Sequence, residues 1–114
     1  ALARRLHAQG FGLHLVGRDA ARLDALAAEV GATTTAGDVR DPQTFARAAE
    51  AAGDALEGLV YAVGTITLKS FARLTEEEFL DDLRVNAVGA ARAVQTHLPA
   101  LKRASGTGSV VLFS

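Results

Sequence analysis

The chain has 114 residues, 12 Lys+Arg against 13 Asp+Glu for a formal net charge of −1, 49% apolar residues and no cysteine. That balance describes a globular unit and excludes a disordered tail, a collagen or a coiled coil. Near-neutral charge removes the basic surface that nucleic acid or anionic lipid requires, and the missing thiols exclude a disulfide framework and a thiolate metal site.

Leu2 and Leu6 stand four apart and Gly10 follows, the pattern of a helix ending on a left-handed glycine. Because the chain opens inside this helical pattern, a targeting segment upstream of Ala1 stays open. Phe11 to Val16 is short, apolar and bounded by glycines, which predicts a buried strand. Asp19 is placed to cap a helix whose apolar face is Leu23, Leu26, Ala27 and Val30, with Gly31 closing it. Thr33 to Ala36 is β-branched and strand-like. Asp41 before Pro42 predicts a second capped helix, with Phe45, Ala48, Ala49 and Ala52 as its stripe. Leu59 to Val63 predicts a third strand. It is also the longest apolar run, far short of the roughly 20 residues that cross a bilayer.

Thr75 and Glu78 have capping-box spacing, and Glu76 to Glu78 suit the positive end of a helix dipole. A long helix is expected from Thr75, with the stripe Phe79, Leu83, Ala87, Ala90, Val94, Leu98 and Leu101, and with Pro99 bending or ending it. Ser109 to Phe113 predicts a fourth strand. Strands apolar on both faces that alternate with helices imply a parallel, doubly wound α/β sheet joined by right-handed crossovers. In such a sheet ligands bind beyond the carboxyl ends of the strands, which points to Gly17-Arg18, Gly37-Asp38-Val39, Gly64-Thr65 and whatever follows Ser114.

Small residues at three strand ends let a flat or phosphorylated ligand approach the backbone. Arg18 offers a planar fork for phosphate oxygens; the competing assignment is a solvated arginine at a turn. Asp38 can accept from the amino group of a base, with Val39 against its ring, or be an ordinary loop aspartate. Asn86 inside an apolar helix is expected to make a specific bond or to mark a local distortion. Tyr61, within a strand, is expected to pack in the core and to need a hydroxyl partner if buried. His7, His14 and His97 lack metal-ligand spacing and are expected at the surface or in packing. The acidic run with Asp81 and Asp82 is expected to be a solvated helix face rather than a metal site.

At these residues the sequence resembles the short-chain dehydrogenase/reductase family, across the whole chain. The resemblance is carried by Gly17-Arg18, Gly37-Asp38-Val39, Leu59 to Gly64, Val85-Asn86 with Gly89, and Gly108 to Ser114. It implies a Rossmann-like fold in which residues 1–114 supply the second to fifth strands of sheet order 3-2-1-4-5, as part of an NAD(P)-binding domain. It further implies NADP rather than NAD, with Arg18 on the adenosine 2′-phosphate and Asp38 and Val39 at the adenine. The family's Asn-Asn-Ala-Gly strand end falls on Tyr61-Ala62-Val63-Gly64, where only Gly64 is kept, so Ala62, Val63 and Gly64 are the expected contacts to the cofactor ribose. Asn86 matches the asparagine that shapes the long helix and whose carbonyl holds a relay water.

The family's first strand, with its glycine-rich Thr-Gly-x-x-x-Gly-x-Gly turn, belongs before Ala1, and the Tyr-x-x-x-Lys pair belongs after Ser114. The catalytic serine belongs one residue beyond Ser114, which takes that role only if the register slips by one. The resemblance therefore implies a fragment of a cytoplasmic oxidoreductase that moves hydride between NADP(H) and a small carbonyl or alcohol, inactive by itself, in a protein that pairs with its own copies through the long helix. The altered Tyr61 to Val63 segment motivates an alternative of another class, a non-catalytic nucleotide-binding or scaffold protein with the same fold.

Overall fold

The computed structural model describes residues 2–65 and 67–113. The chain divides into two compact units, Ala1–Asp54 and Ala55–Ser114.

The first unit carries helix α1 (Leu2–Ala8), strand β1 (His14–Gly17), helix α2 (Ala20–Val30), strand β2 (Thr33–Ala36) and helix α3 (Pro42–Ala52). The predicted caps form. Asp19 accepts from the Arg22 N–H at 3.2 Å, and Asp41 accepts from the Gln43 N–H at 2.9 Å with Pro42 at the helix start. Gly31, at φ 63°, returns its N–H to the Ala27 carbonyl and closes α2. Strand β1 starts later than the predicted Phe11, because the end of α1 claims that residue: the Phe11 N–H bonds the Leu6 carbonyl at 3.1 Å. From His14 to Gly17 the strand then runs parallel to Thr33 to Ala36. Leu23, Ala27 and Val30 of α2 and Thr44, Phe45 and Ala48 of α3 are buried. At about 25 cal/mol per Å² of apolar surface, these stripes supply the main drive for closing the unit.

The second unit carries strand β3 (Gly58–Tyr61), a 3-10 turn (Phe71–Arg73), helix α4 (Glu76–Leu83), a π-helical turn (Arg84–Val88), helix α5 (Gly89–Lys102) and strand β4 (Ser109–Leu112). Strands β3 and β4 pair in parallel from Gly58 with Ser109 to Tyr61 with Leu112. The ladder closes where the Phe113 N–H bonds the Tyr61 carbonyl at 3.0 Å, so the strand predicted over Leu59 to Val63 ends two residues early. Helix α5 packs on this ladder through Ala90, Ala93, His97, Ala100 and Leu101, all buried.

The long helix predicted from Thr75 is not continuous. The π turn inserts an extra residue and rotates everything after it by about 100°. Of the expected stripe, only Ala90 and Leu101 are buried; Phe79, Leu83, Ala87 and Leu98 are exposed and Val94 is half-buried. Pro99 lies inside α5 and does not end it. The α/β alternation and parallel strands are as expected, with the sheet present as two two-stranded ladders, β1 with β2 and β3 with β4. Among the described residues no helix is long and apolar enough to cross a membrane.

Candidate functional site

Each unit presents one cluster of chemistry at the carboxyl ends of its strands. In the first unit, Gly17-Arg18 follows β1 and Gly37-Asp38-Val39 follows β2, and the bond from the Gly37 N–H to the Gly17 carbonyl, 2.9 Å, holds the two ends side by side. The Arg18 side chain is 72% exposed, and its Nη1 stands 3.9 Å from Asp38 Oδ2. Asp38 is held from the other side: its Oδ1 accepts from the Arg40 N–H at 2.9 Å, and its Oδ2 from Arg40 Nη1 at 3.4 Å. A third guanidinium, Arg47, donates to the Ala36 carbonyl at 3.0 Å. Val39 is half-buried beside them. Arg40 and Arg47 were not singled out by the motif pattern. Their signals are local: Arg40 sits two residues past an Asp that can fold back on its backbone, and Arg47 lies one turn beyond Thr44 on α3.

Strand-end glycines were expected to make room for a ligand. At Gly37 the room on the side a Cβ would occupy is already filled by Thr44 Oγ1 and Cγ2 and by Arg47 Nη2. Gly37 therefore lets α3 close on β2, and Thr44 is fully buried with no hydrogen-bond partner for its hydroxyl. At Gly17 a Cβ would meet only Leu23 Cδ1, at 3.4 Å.

In the second unit, Ala62, Val63 and Gly64 are exposed beyond the last ladder bond of β3. Asn86 lies within the π turn and grips the backbone of the next residue twice. Its Oδ1 accepts from the Thr65 N–H at 2.9 Å and its Nδ2 donates to the Thr65 carbonyl at 2.8 Å. A Cβ at Gly64 would stand 3.2 Å from Asn86 Oδ1, so the glycine makes room for this amide. The same turn is tied from below: Tyr61, 4% exposed, donates its hydroxyl to the Val85 carbonyl. At this strand end, which has no asparagine pair, the tyrosine hydroxyl reaches the turn itself.

Glu78, Asp82 and Asn86 lie four apart and share one helical face. Asp82 accepts from the Thr67 N–H and hydroxyl at 3.3 and 3.2 Å, and Glu78 pairs with Lys69 at 2.5 Å. The Lys69 ammonium holds the Glu78 carboxyl below its ordinary range, with burial opposing. The acidic run is therefore only partly the solvated face that was expected, since Glu78 and Asp82 fasten the segment after β3. His97 is buried in packing, with Nδ1 at 2.8 Å from the Ala93 carbonyl. His14 pairs with Thr33 and Thr35 at 2.7 Å each. Ser114, expected as a catalytic residue, lies outside the described residues.

The chain is similar to known proteins in sequence and in fold. The family model described as Enoyl-(Acyl carrier protein) reductase matches residues 1–114. A 3-dehydrosphinganine reductase of Arabidopsis thaliana is 28% identical over 122 residues, covering 100% of this chain and 37% of the relative. Among solved structures, a short-chain dehydrogenase from Streptomyces avermitilis superposes with TM-score 0.87 at 28% identity, covering 99% of this chain and 43% of that one. An alcohol dehydrogenase from Thermococcus sibiricus, complexed with 5-hydroxy-NADP, superposes with TM-score 0.80 at 27% identity, covering 90% and 47%. The chain thus spans less than half the length of these three relatives. Its Rossmann-like α/β fold and its family match agree: the chain belongs to the short-chain dehydrogenase/reductase family of oxidoreductases.

Proposed function

We propose that this chain is part of the dinucleotide-binding domain of an NADP-dependent short-chain dehydrogenase/reductase that transfers hydride between NADP(H) and a small carbonyl or alcohol. The observation that carries the cofactor choice is Arg18, a mostly exposed guanidinium directly after a residue without a side chain, where a carboxylate would repel a phosphate. When bound, the nicotinamide supplies the hydride chemistry; the residues of this chain hold and orient. Arg18 takes the adenosine 2′-phosphate, while Asp38 and Val39 face the adenine. Ala62, Val63 and Gly64 line the ribose side of the second strand end. The alcohol dehydrogenase of Thermococcus sibiricus, complexed with 5-hydroxy-NADP, supports an NADP site on this fold.

Asn86 acts as a positioning residue in this scheme. Its amide clamps Thr65 and thereby fixes Gly64, and the π turn around it directs its own carbonyl toward a relay water. Ser114 stands next to the position where the substrate-orienting serine is expected. The ladders β1–β2 and β3–β4 fit the 3-2 and 4-5 parts of the order 3-2-1-4-5, so residues 1–114 are assigned to a partial domain that is inactive by itself. Exposed Leu83, Val88 and Leu98 along the helical segment from Thr75 support pairing with a second copy. The charge balance and lack of cysteine fit a cytoplasmic enzyme.

The test is titration of the full-length protein with NADPH and NADH. Tighter NADPH binding that Arg18→Ala abolishes is the expected result; tighter NADH binding indifferent to Arg18→Ala overturns the assignment. NADPH-dependent turnover of a carbonyl substrate excludes the scaffold alternative.

A further inference from the structure

We propose that Arg40 sets nucleotide preference from a distance, by holding the Asp38 carboxylate so that Arg18 stays available to an anionic ligand. The proposal rests on the NADP assignment above and names a specificity-determining residue that need not touch the cofactor.

Asp38 Oδ2 has two guanidinium neighbours, Arg40 Nη1 at 3.4 Å and Arg18 Nη1 at 3.9 Å. The nearer one is reinforced by the backbone, since Oδ1 accepts from the Arg40 N–H at 2.9 Å, a local fold-back that orients the carboxylate before any partner arrives. Arg18 is left at the outer limit of pairing and 72% exposed, whereas the Arg40 side chain is 37% exposed. Arg47 donates its Nη2 to the Ala36 carbonyl and stands outside the two ion pairs of Asp38. Once the Arg40 guanidinium is removed, the nearest cation left to the carboxylate is Arg18. A carboxylate and a phosphate then compete for one planar fork, and the unneutralised Asp38 charge repels the phosphate as well. An uncharged ribose hydroxyl in the same place loses far less, so the effect falls on the ratio of NADPH to NADH affinity.

The pair is partly exposed, and exposed pairs of this kind shift equilibria by about two- to fivefold. In the full-length protein, Arg40→Ala and Arg40→Gln are expected to lower the NADPH:NADH affinity ratio by about that factor, as measured by fluorescence titration. In an Asp38→Asn background the same substitutions are expected to leave the ratio unchanged, because no carboxylate remains to capture Arg18. An unchanged ratio in both Arg40 variants overturns the proposal, as does an equal fall with and without Asp38→Asn, which would mean that Arg40 acts independently of Asp38. Arg18→Ala separates the two levels. If it abolishes NADPH preference while the Arg40 variants do nothing, only the role of Arg40 fails; if it has no effect, the NADP assignment itself fails and this proposal with it.

Discussion

Helix propensity and the structure disagree about the sign of Gly89→Ala. Gly89 opens α5 with ordinary helical backbone, φ −59° and ψ −44°, so alanine there should stabilise the helix by about 1 kcal/mol on propensity alone. The structure predicts the reverse. A Cβ at this position would overlap the Tyr61 hydroxyl and stand 3.3 Å from Tyr61 Cζ and 3.1 Å from the Arg84 carbonyl oxygen. Tyr61 is 4% exposed and anchored in β3, so relief requires the ring to shift and its hydroxyl to leave the buried Val85 carbonyl. Pulling the buried hydroxyl off its acceptor costs about 1–3 kcal/mol, and overpacking adds about 1–3 kcal/mol. After the propensity gain, a net loss of roughly 1–5 kcal/mol is expected. Urea denaturation of the intact protein measures it, as a lower midpoint at unchanged slope. In a Tyr61→Phe background, where the overlapping oxygen is gone, Gly89→Ala should cost much less. Stabilisation by Gly89→Ala in the otherwise unaltered protein would refute the packing argument.

Asn86→Ala removes both contacts to the Thr65 backbone and is expected to destabilise the protein by about 1–3 kcal/mol. Amide hydrogen exchange at Thr65 should quicken, and an unchanged rate would contradict the clamp. Lys69 depresses the Glu78 carboxyl, so the stabilisation from that pair is fully present above the ordinary glutamate value of about 4.3 and is lost as pH falls through the lower folded value. Urea midpoints measured from pH 7 downward should therefore show a shallower acid limb for Glu78→Gln than for the unaltered protein. Identical limbs would remove the pair as a contributor.

The signals most legible in the sequence were those in which one residue type has one local use. Asp19 and Asp41 cap their helices, Gly31 closes α2, and Thr33 to Ala36 is β2 from end to end, because caps and β-branched strands are decided within a few residues. An amide at Asn86 inside an apolar helix flagged a distortion, and the π turn spans that residue. Periodicity does not carry the extra residue in that turn: buried Ala93 and His97 lie off the expected stripe, of which Ala90 and Leu101 are buried and Phe79, Leu83 and Leu98 are exposed. Strand limits failed where a neighbour decided them: the end of α1 claimed Phe11, and the last β4 bond closed β3 at Tyr61. Gly37 and Gly64 also make room for Thr44, Arg47 and Asn86, contacts made across elements and invisible to spacing. Arg40 was missed for a related reason, since its importance comes from the carboxylate it shares with Arg18 rather than from any motif.

In the proposed assignment the Arg18 guanidinium meets the adenosine 2′-phosphate of NADP. A crystal structure of the full-length protein with NADP bound measures this directly, as the distance from Arg18 to the phosphate oxygens. Charge-assisted hydrogen bonds of about 2.7–2.9 Å are expected, with the Asp38 carboxylate still on Arg40 and facing the adenine. A 2′-phosphate lying out of reach of Arg18, or an adenosine bound away from the ends of β1 and β2, would contradict it.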